Sequence, residues 1–281
     1  MQQIKIGQEH VPALGMGTWH MGEGSAAKTQ AEVASLRYGL DHGLTVIDTA
    51  EMYGEGAAER VVGQAMQDYD RSQIYLISKF YPWHATDKLI RKSLAASLRR
   101  LGTDYLDLYL LHWRGTTPLT ETIGTLRALQ NEGLIRAYGV SNFDTLDLAE
   151  ARAVAGGKGV VANEVLYNVA KRGIEYDLLP AQKQSGITLI GYSPYGSGNG
   201  QAITVPQPVQ ELAAAKGITA HQLLLAWVLR NGDVLSIPKA SRPEHMAANI
   251  AAMDVQLTPA DLQLIDAYFP APTGKVPLAE I

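Results

Sequence analysis

Short apolar runs alternate with longer stretches of helical periodicity along nearly the whole chain. Residues 3–12 alternate polar and apolar side chains around Gly7-Gln8, which predicts a small hairpin. A first buried run follows at 14–18. Helical spacing over 29–42 then stops at Gly43. The same alternation recurs with apolar runs at 45–48, 74–78, 105–111, 135–140, 160–162, 188–191 and 234–237. Helical stretches lie between them at 57–66, 87–101, 118–131, 145–154, 176–185, 209–216 and 220–230. The stretch 87–101 carries Leu89, Ile90, Leu94, Leu98 and Leu101 on one face. Two late helices, at 243–253 and 259–268, precede a Pro-rich tail from Phe269. Eight short buried strands, each followed by a helix, predict an α/β fold. The expected form is a (β/α)8 TIM barrel with an N-terminal β-hairpin and additional C-terminal helices. No linker or low-complexity segment interrupts the pattern, so residues 1–281 read as a single barrel domain.

Composition narrows the function. The length of 281 residues fits one such barrel, and the 46% hydrophobic and 19% charged content suits a large core rather than disorder. The net charge of −4 comes from mixed acids and bases with no basic stripe, which argues against nucleic acid. The chain has no Cys, which excludes disulfides, thiolate nucleophiles and Cys-ligated metals. No metal site is expected. The polar start MQQIKIGQEH has no signal-peptide core, and no apolar run is long enough to span a membrane. A cytoplasmic monomer is the expectation.

The candidate chemistry lies at strand exits, where barrel active sites are built. In TVIDTAEMY (45–53), an apolar run ends on Asp48 and is followed by Tyr53. The next two strands exit at Lys79 and His112. Strands about 4.8 Å apart allow these groups to converge. Taken singly, each has an ordinary explanation: a capping Asp, a core Tyr, a snorkelling Lys, a structural His. At successive exits of one barrel they describe a proton-transfer site. An ammonium near the Tyr53 phenol is expected to lower its pKa from about 10. Asp48 can fix Lys79, and His112 can donate to a substrate oxygen. Tyr53 then serves as the acid for a carbonyl oxygen becoming an alkoxide. No side chain supplies the hydride that the carbon requires, so a cofactor must. No GxGxxG opens a helix after the first strand, so a Rossmann site is unsupported.

At this point the chain resembles the aldo-keto reductase superfamily over essentially its whole length. The motifs are LGMGTW (14–19), TVIDTAEMYG (45–54), ISK (77–79), DYLDLYLLHW (104–113), IRAYGVSNF (135–143), GYSPYGSG (191–198) and IPKA (237–240). The resemblance implies an Asp48–Tyr53–Lys79–His112 tetrad and hydride transfer from NADPH. It implies a carboxamide site at Ser141, Asn142 and Glu164, with Tyr192 stacked on the nicotinamide. It places the pyrophosphate along Ser193, Pro194, Tyr195, Gly196 and Ser197. Gly17, Thr18 and Trp19 would border cofactor and pocket. Ile237, Lys239, Ala240, Ser241, Arg242, His245 and Asn249 would form the strand-eight side of the cofactor site. Two positions depart from the family pattern. Glu164 stands where Gln is usual, and as a carboxylate it can accept from the carboxamide but not donate. In the 2′-phosphate segment, Ala240, His245 and Ala248 replace the usual Ser, Arg and Glu, while Lys239, Arg242 and Asn249 remain to bind.

Short loops at 113–117 and 195–202, and a tail without a long capping segment, predict an open pocket for small carbonyls. Its candidate walls are Trp19, His20, Met21, Met52, Tyr81, Trp83, His112 and Trp113. Within the superfamily, IEYDLLP (174–180) makes the chain similar to small bacterial reductases of methylglyoxal, other 2-oxoaldehydes, α-diketones and aromatic aldehydes. Diketogluconate-type reductases are near neighbours. Two other classes rank lower: a Schiff-base aldolase using Lys79, and a module that binds the nucleotide for sensing.

Overall fold

The structure, a computed structural model, describes residues 1–197 and 201–281, without the side chains of Ser197 and Gln201. β1 (Gln3–Ile6) and β2 (Glu9–Pro12) pair antiparallel, with Gly7 in the left-handed region (φ 61°) at their turn. Seven parallel strands follow: β3 (Met16–Gly17), β4 (Val46–Asp48), β5 (Tyr75–Phe80), β6 (Leu106–Leu111), β7 (Ile135–Ser141), β8 (Val160–Leu166) and β9 (Thr188–Tyr192). A short antiparallel pair, β10 (Gly196–Ser197) and β11 (Gln201–Ala202), precedes the eighth barrel strand, β12 (Val234–Ser236). Each barrel strand pairs with its neighbour in chain order.

Parallel contacts between the first and last strands close the sheet. Leu14 bridges Ser236 and Gly17 bridges Lys239; Gly15 donates to the Ser236 carbonyl at 2.8 Å. Closure depends on Gly17, because a Cβ there would run into the Ile237 carbonyl oxygen. The predicted barrel is therefore the observed one.

Helices α1 (Ala26–Asp41), α2 (Ala57–Met66), α3 (Asp87–Leu101), α4 (Leu119–Asn131), α5 (Thr145–Ala153) and α6 (Leu178–Ser185) cover the first six inter-strand crossings. α7 (Gln207–Ala215) and α8 (Ala220–Leu229) lie between β11 and β12, and α9 (Pro243–Ala252) and α10 (Pro259–Tyr268) end the order. Among the described residues, no single helix is long and apolar enough to cross a membrane.

The strands are buried on both faces, which explains their continuous apolar runs. Leu76, Leu108 and Leu110 are fully buried, so trimming one to Ala would cost roughly 2–5 kcal/mol. The α3 face differs from its expected stripe. Ile90, Leu94 and Leu101 are buried together with Ser93 and Ser97, while Leu89 and Leu98 lie at the flanks.

Several boundaries move for physical reasons. α1 begins at Ala26 rather than 29, because the Ser25 hydroxyl accepts from the Lys28 amide. The first strand is reduced to β3, with Leu14 and Gly15 forming the closure. β5 and β8 run past the polar residues that read as their ends. Lys79 lies inside β5, and Asn163 and Glu164 lie inside β8. Asn163 stays in the ladder region by donating to the Phe143 carbonyl at 2.8 Å. A polar side chain with partners in the barrel does not end a strand.

Candidate active site

Three adjacent strands and a fourth from across the barrel bring the site together. Asp48 ends β4, Lys79 is the fifth of the six residues of β5, and His112 follows β6 directly. β4 and β5 pair Asp48 with Ile77. Lys79 is two residues beyond Ile77 on the same pleat face, so both side chains enter the barrel. Glu164 of β8 pairs with Ser141 of β7 and approaches from across the barrel.

Lys79 is fully buried. Its Nζ donates to both Asp48 carboxylate oxygens at 2.7 Å, to the Thr49 carbonyl at 3.2 Å and to the Tyr53 hydroxyl at 3.2 Å. A Glu164 oxygen lies 3.2 Å from the same nitrogen. Burial alone would lower the Lys79 ammonium, but Asp48, Glu164 and Tyr53 carry it well above its ordinary value. The group stays charged.

Tyr53 corrects one expectation. Burial pushes its phenol well above 10.0, Lys79 pulls it down, and Asp48 and Glu164 push it up again. The net direction is upward, because desolvation and two carboxyls oppose one ammonium. Tyr53 therefore holds its proton firmly. His112 is lowered well below 6.5 by burial and by the Lys79 charge, so its ring is neutral. Its Nδ1 is buried with no hydrogen-bond partner among the described residues. The His112 ring stands edge-on to Tyr53, with centroids 5.8 Å apart.

Asp48, Tyr53, His112 and Glu164 line a cavity of about 350 Å³, with Lys79 buried beneath them. Of the residues singled out in the sequence, Gly17, Thr18, Trp19, Asp48, Tyr53, His112, Ser141, Asn142, Glu164, Tyr192, Ser193, Pro194, Tyr195, Gly196, Ile237 and Lys239 line it. Asn142 and Ser193 hold left-handed backbone (φ 57° and 53°). The Asn142 side chain is clamped, accepting from the Tyr192 hydroxyl at 2.9 Å and donating to the His112 carbonyl at 3.2 Å. The Ser141 hydroxyl donates to the Glu164 main-chain carbonyl at 2.9 Å.

The cavity boundary omits other expected residues. Ala240 is buried, with its carbonyl accepting from the Ser35 hydroxyl at 2.8 Å. Ser241, Arg242, His245 and Asn249 lie beside it at the start of α9 and within it, outside the cavity wall. Arg242 and His245 are exposed and 3.0 Å apart. Asn249 accepts from the Tyr195 hydroxyl at 2.6 Å and so braces a wall residue. The Ser197 side chain lies outside the described residues.

Of the expected pocket walls, Trp19, His20, Met52, His112 and Trp113 line the cavity. Met21 does not, being fully buried in the core. Tyr81 and Trp83 stand back from the lining. They stack on each other at 4.3 Å, and Trp83 meets Trp113 edge-on at 5.5 Å. Both meet the Trp113 ring edge-on, in the stretch after β5 ends at Phe80.

The sequence reading missed the tail. Lys275 is tied to Asp177 at 3.0 Å and to the Thr145 hydroxyl at 2.8 Å, and Ile281 lines the cavity. The tail therefore reaches the open side of the site. A terminal isoleucine carries no local signal for such a position.

Barrel and site together define a reductase of the aldo-keto type. Residues 13–269 match the Aldo/keto reductase family, and the chain belongs to it. It is thus an oxidoreductase acting on carbonyl groups. Methylglyoxal reductase YeaE of Escherichia coli (strain K12) is 45% identical over 283 residues, covering 99% of each chain. The NADH-specific methylglyoxal reductase of the same organism is 30% identical over 320 residues, covering 94% of this chain and 97% of that one. An aldo-keto reductase from Klebsiella pneumoniae, solved in complex with NADPH, superposes with a TM-score of 0.95 at 48% identity. The match covers 100% of this chain and 99% of that one.

Proposed function

We propose that this chain is a single-domain, NADPH-dependent reductase of small aldehydes and ketones, with Tyr53 as the general acid. The substrates fitting this reading are methylglyoxal and other 2-oxoaldehydes, α-diketones and aromatic aldehydes. The observation that carries it is the contact of one buried ammonium, Lys79, with both Asp48 oxygens and the Tyr53 hydroxyl at the cavity floor.

The residues present suit the cofactor. Glu164 Oε2 is buried with no donor among the described residues, and the residue forms part of the cavity wall beside Asn142 and Tyr192. A carboxamide group offers the donors and acceptor that this corner needs. Tyr192 supplies a ring face, and Gly196 (φ 78°) has no side chain to obstruct a pyrophosphate. Lys239, Arg242 and His245 form the basic group for a 2′-phosphate.

Bound NADPH supplies the hydride to the carbonyl carbon. The chain performs the remaining steps. Neutral His112 donates a ring N–H to the substrate oxygen; Nδ1 is buried with no partner among the described residues, which leaves Nε2 as the nitrogen for that bond. Tyr53 transfers its proton to that oxygen as negative charge builds. Lys79, held by Asp48, stabilises the phenolate that results. Trp19, Met52 and Trp113 exclude water and limit substrate size.

The same contacts work against Lys79 as a Schiff-base nucleophile, which would require a neutral amine. Methylglyoxal is the first substrate to assay, given the YeaE relative. Tyr53→Phe should bind NADPH normally and lose about 10²–10⁴-fold in carbonyl reduction. Turnover near that of the wild type would rule out the acid role.

A further inference from the structure

Two carboxyl groups meet one ammonium inside this barrel. Asp48 places both oxygens 2.7 Å from Lys79 Nζ, whereas Glu164 offers one oxygen at 3.2 Å. The other Glu164 oxygen, Oε2, is buried with no donor among the described residues, and the Asp48 carboxyl lies within hydrogen-bonding reach of Glu164, a pairing of two acids that requires a proton. Glu164 itself is 2% exposed and its residue lines the cavity beside Asn142 and Tyr192. Lys79 can neutralise one carboxylate. The better contact assigns that charge to Asp48, which leaves Glu164 an excess charge in a dry site unless it keeps its proton. The remaining ionisable groups facing it are the Tyr53 and Tyr192 phenols, both pushed upward and therefore neutral.

We propose that Glu164 stands at the nicotinamide corner as a neutral carboxylic acid, and that its ionisation discriminates the uncharged reduced ring from the cationic oxidised one. The inference rests on the cofactor assignment above and deepens it. As an acid, Glu164 has the shape and neutrality of a glutamine. As a carboxylate, it would attract oxidised nicotinamide and slow its release. Neutral Glu164 therefore favours NADPH entry and NADP+ departure, the order that reduction requires. Burial and Asp48 push its proton affinity well above the ordinary range of a glutamic acid, in the same direction.

Linkage provides the test. The oxidised ring should favour the ionised acid, so NADP+ binding should release a proton and NADPH binding should not. The affinities of NADP+ and NADPH for the whole protein would be measured by fluorescence from about pH 6 to about pH 9, with proton release followed in weak buffer. The ratio of NADP+ to NADPH affinity should rise roughly tenfold over that range in the wild type, for about one unit of linked shift, and stay flat in Glu164→Gln. Infrared spectra of the nucleotide-free protein at neutral pH should show a protonated carboxylic-acid band that Glu164→Gln lacks. A flat wild-type ratio, a slope that survives in Glu164→Gln, or absence of that band would overturn the proposal. Failure of both nucleotides to bind would overturn the cofactor assignment as well. The infrared band, read without nucleotide, separates the two failures.

Discussion

Lys79 Nζ lies 2.7 Å from each carboxylate oxygen of Asp48, with neither side chain exposed by more than 2%. A buried pair of this kind is a liability once broken, because the surviving charge has no water to turn to. It also fixes the cation that, among the described residues, contacts the Tyr53 hydroxyl and can stabilise its phenolate.

Asp48→Asn should therefore lower unfolding stability by about 3 kcal/mol, near the bottom of the range for a broken buried pair. Glu164, already 3.2 Å from the ammonium, can ionise and take over part of the role. Urea denaturation of the single variant and of Asp48→Asn/Glu164→Gln measures this. The double variant should be less stable than the single one, and equal stabilities would show that Glu164 gives no support.

Carbonyl reduction should show no acid limb near pH 6.5. Burial and Lys79 hold the His112 ring neutral well below that value. The kcat/KM profile for methylglyoxal, followed by NADPH consumption between about pH 5.5 and about pH 8, is the measurement. An inflection near 6.5 that disappears in His112→Gln would contradict the assignment.

Lys239→Ala should weaken NADPH binding about tenfold or more while leaving NADH binding nearly unchanged. A charge-assisted bond to phosphate is worth about 1.5–3 kcal/mol, and only NADPH carries the 2′-phosphate. Equal KM values for NADH and NADPH in the wild type would show that Lys239, Arg242 and His245 do not form a phosphate site.

Glu164→Gln should gain stability relative to the wild type as pH rises. The unfolded chain ionises Glu164 near 4.5, while the folded chain keeps the proton well above that value. Between the two, the folded state binds the extra proton, so wild-type stability falls with increasing pH. The glutamine variant lacks this slope. Melting temperatures at about pH 5 and about pH 8 compare the two, and parallel curves would count against a raised Glu164.

Much of the fold and half of the site could be read locally. Apolar runs of three to seven residues, separated by helical spacing, are enough to count eight strands and to place Asp48, Lys79 and His112 near consecutive ends. Strand ends are not legible where a polar residue continues the strand. Lys79 and Glu164 looked like exits because burial of an ionisable group is costly, and a sequence does not display the partner that offsets the cost. Tyr81, Trp83 and Met21 were indistinguishable from Trp19 and Trp113 as pocket walls, because aromatic and Met side chains pack and line cavities equally well.

The sequence by itself determined the order of strands and helices, and it placed the Asp48, Tyr53, Lys79 and His112 types at one end of a barrel. Those features depend on periodicity within a few residues. Tertiary structure alone decided that Lys79 meets a second acid from β8, that Tyr53 is driven upward rather than downward, and that Ile281 joins the cavity wall. The physical reason is that charge balance in a closed barrel depends on which side chains share its interior. Strand stagger and closure set that arrangement across stretches far apart in the chain.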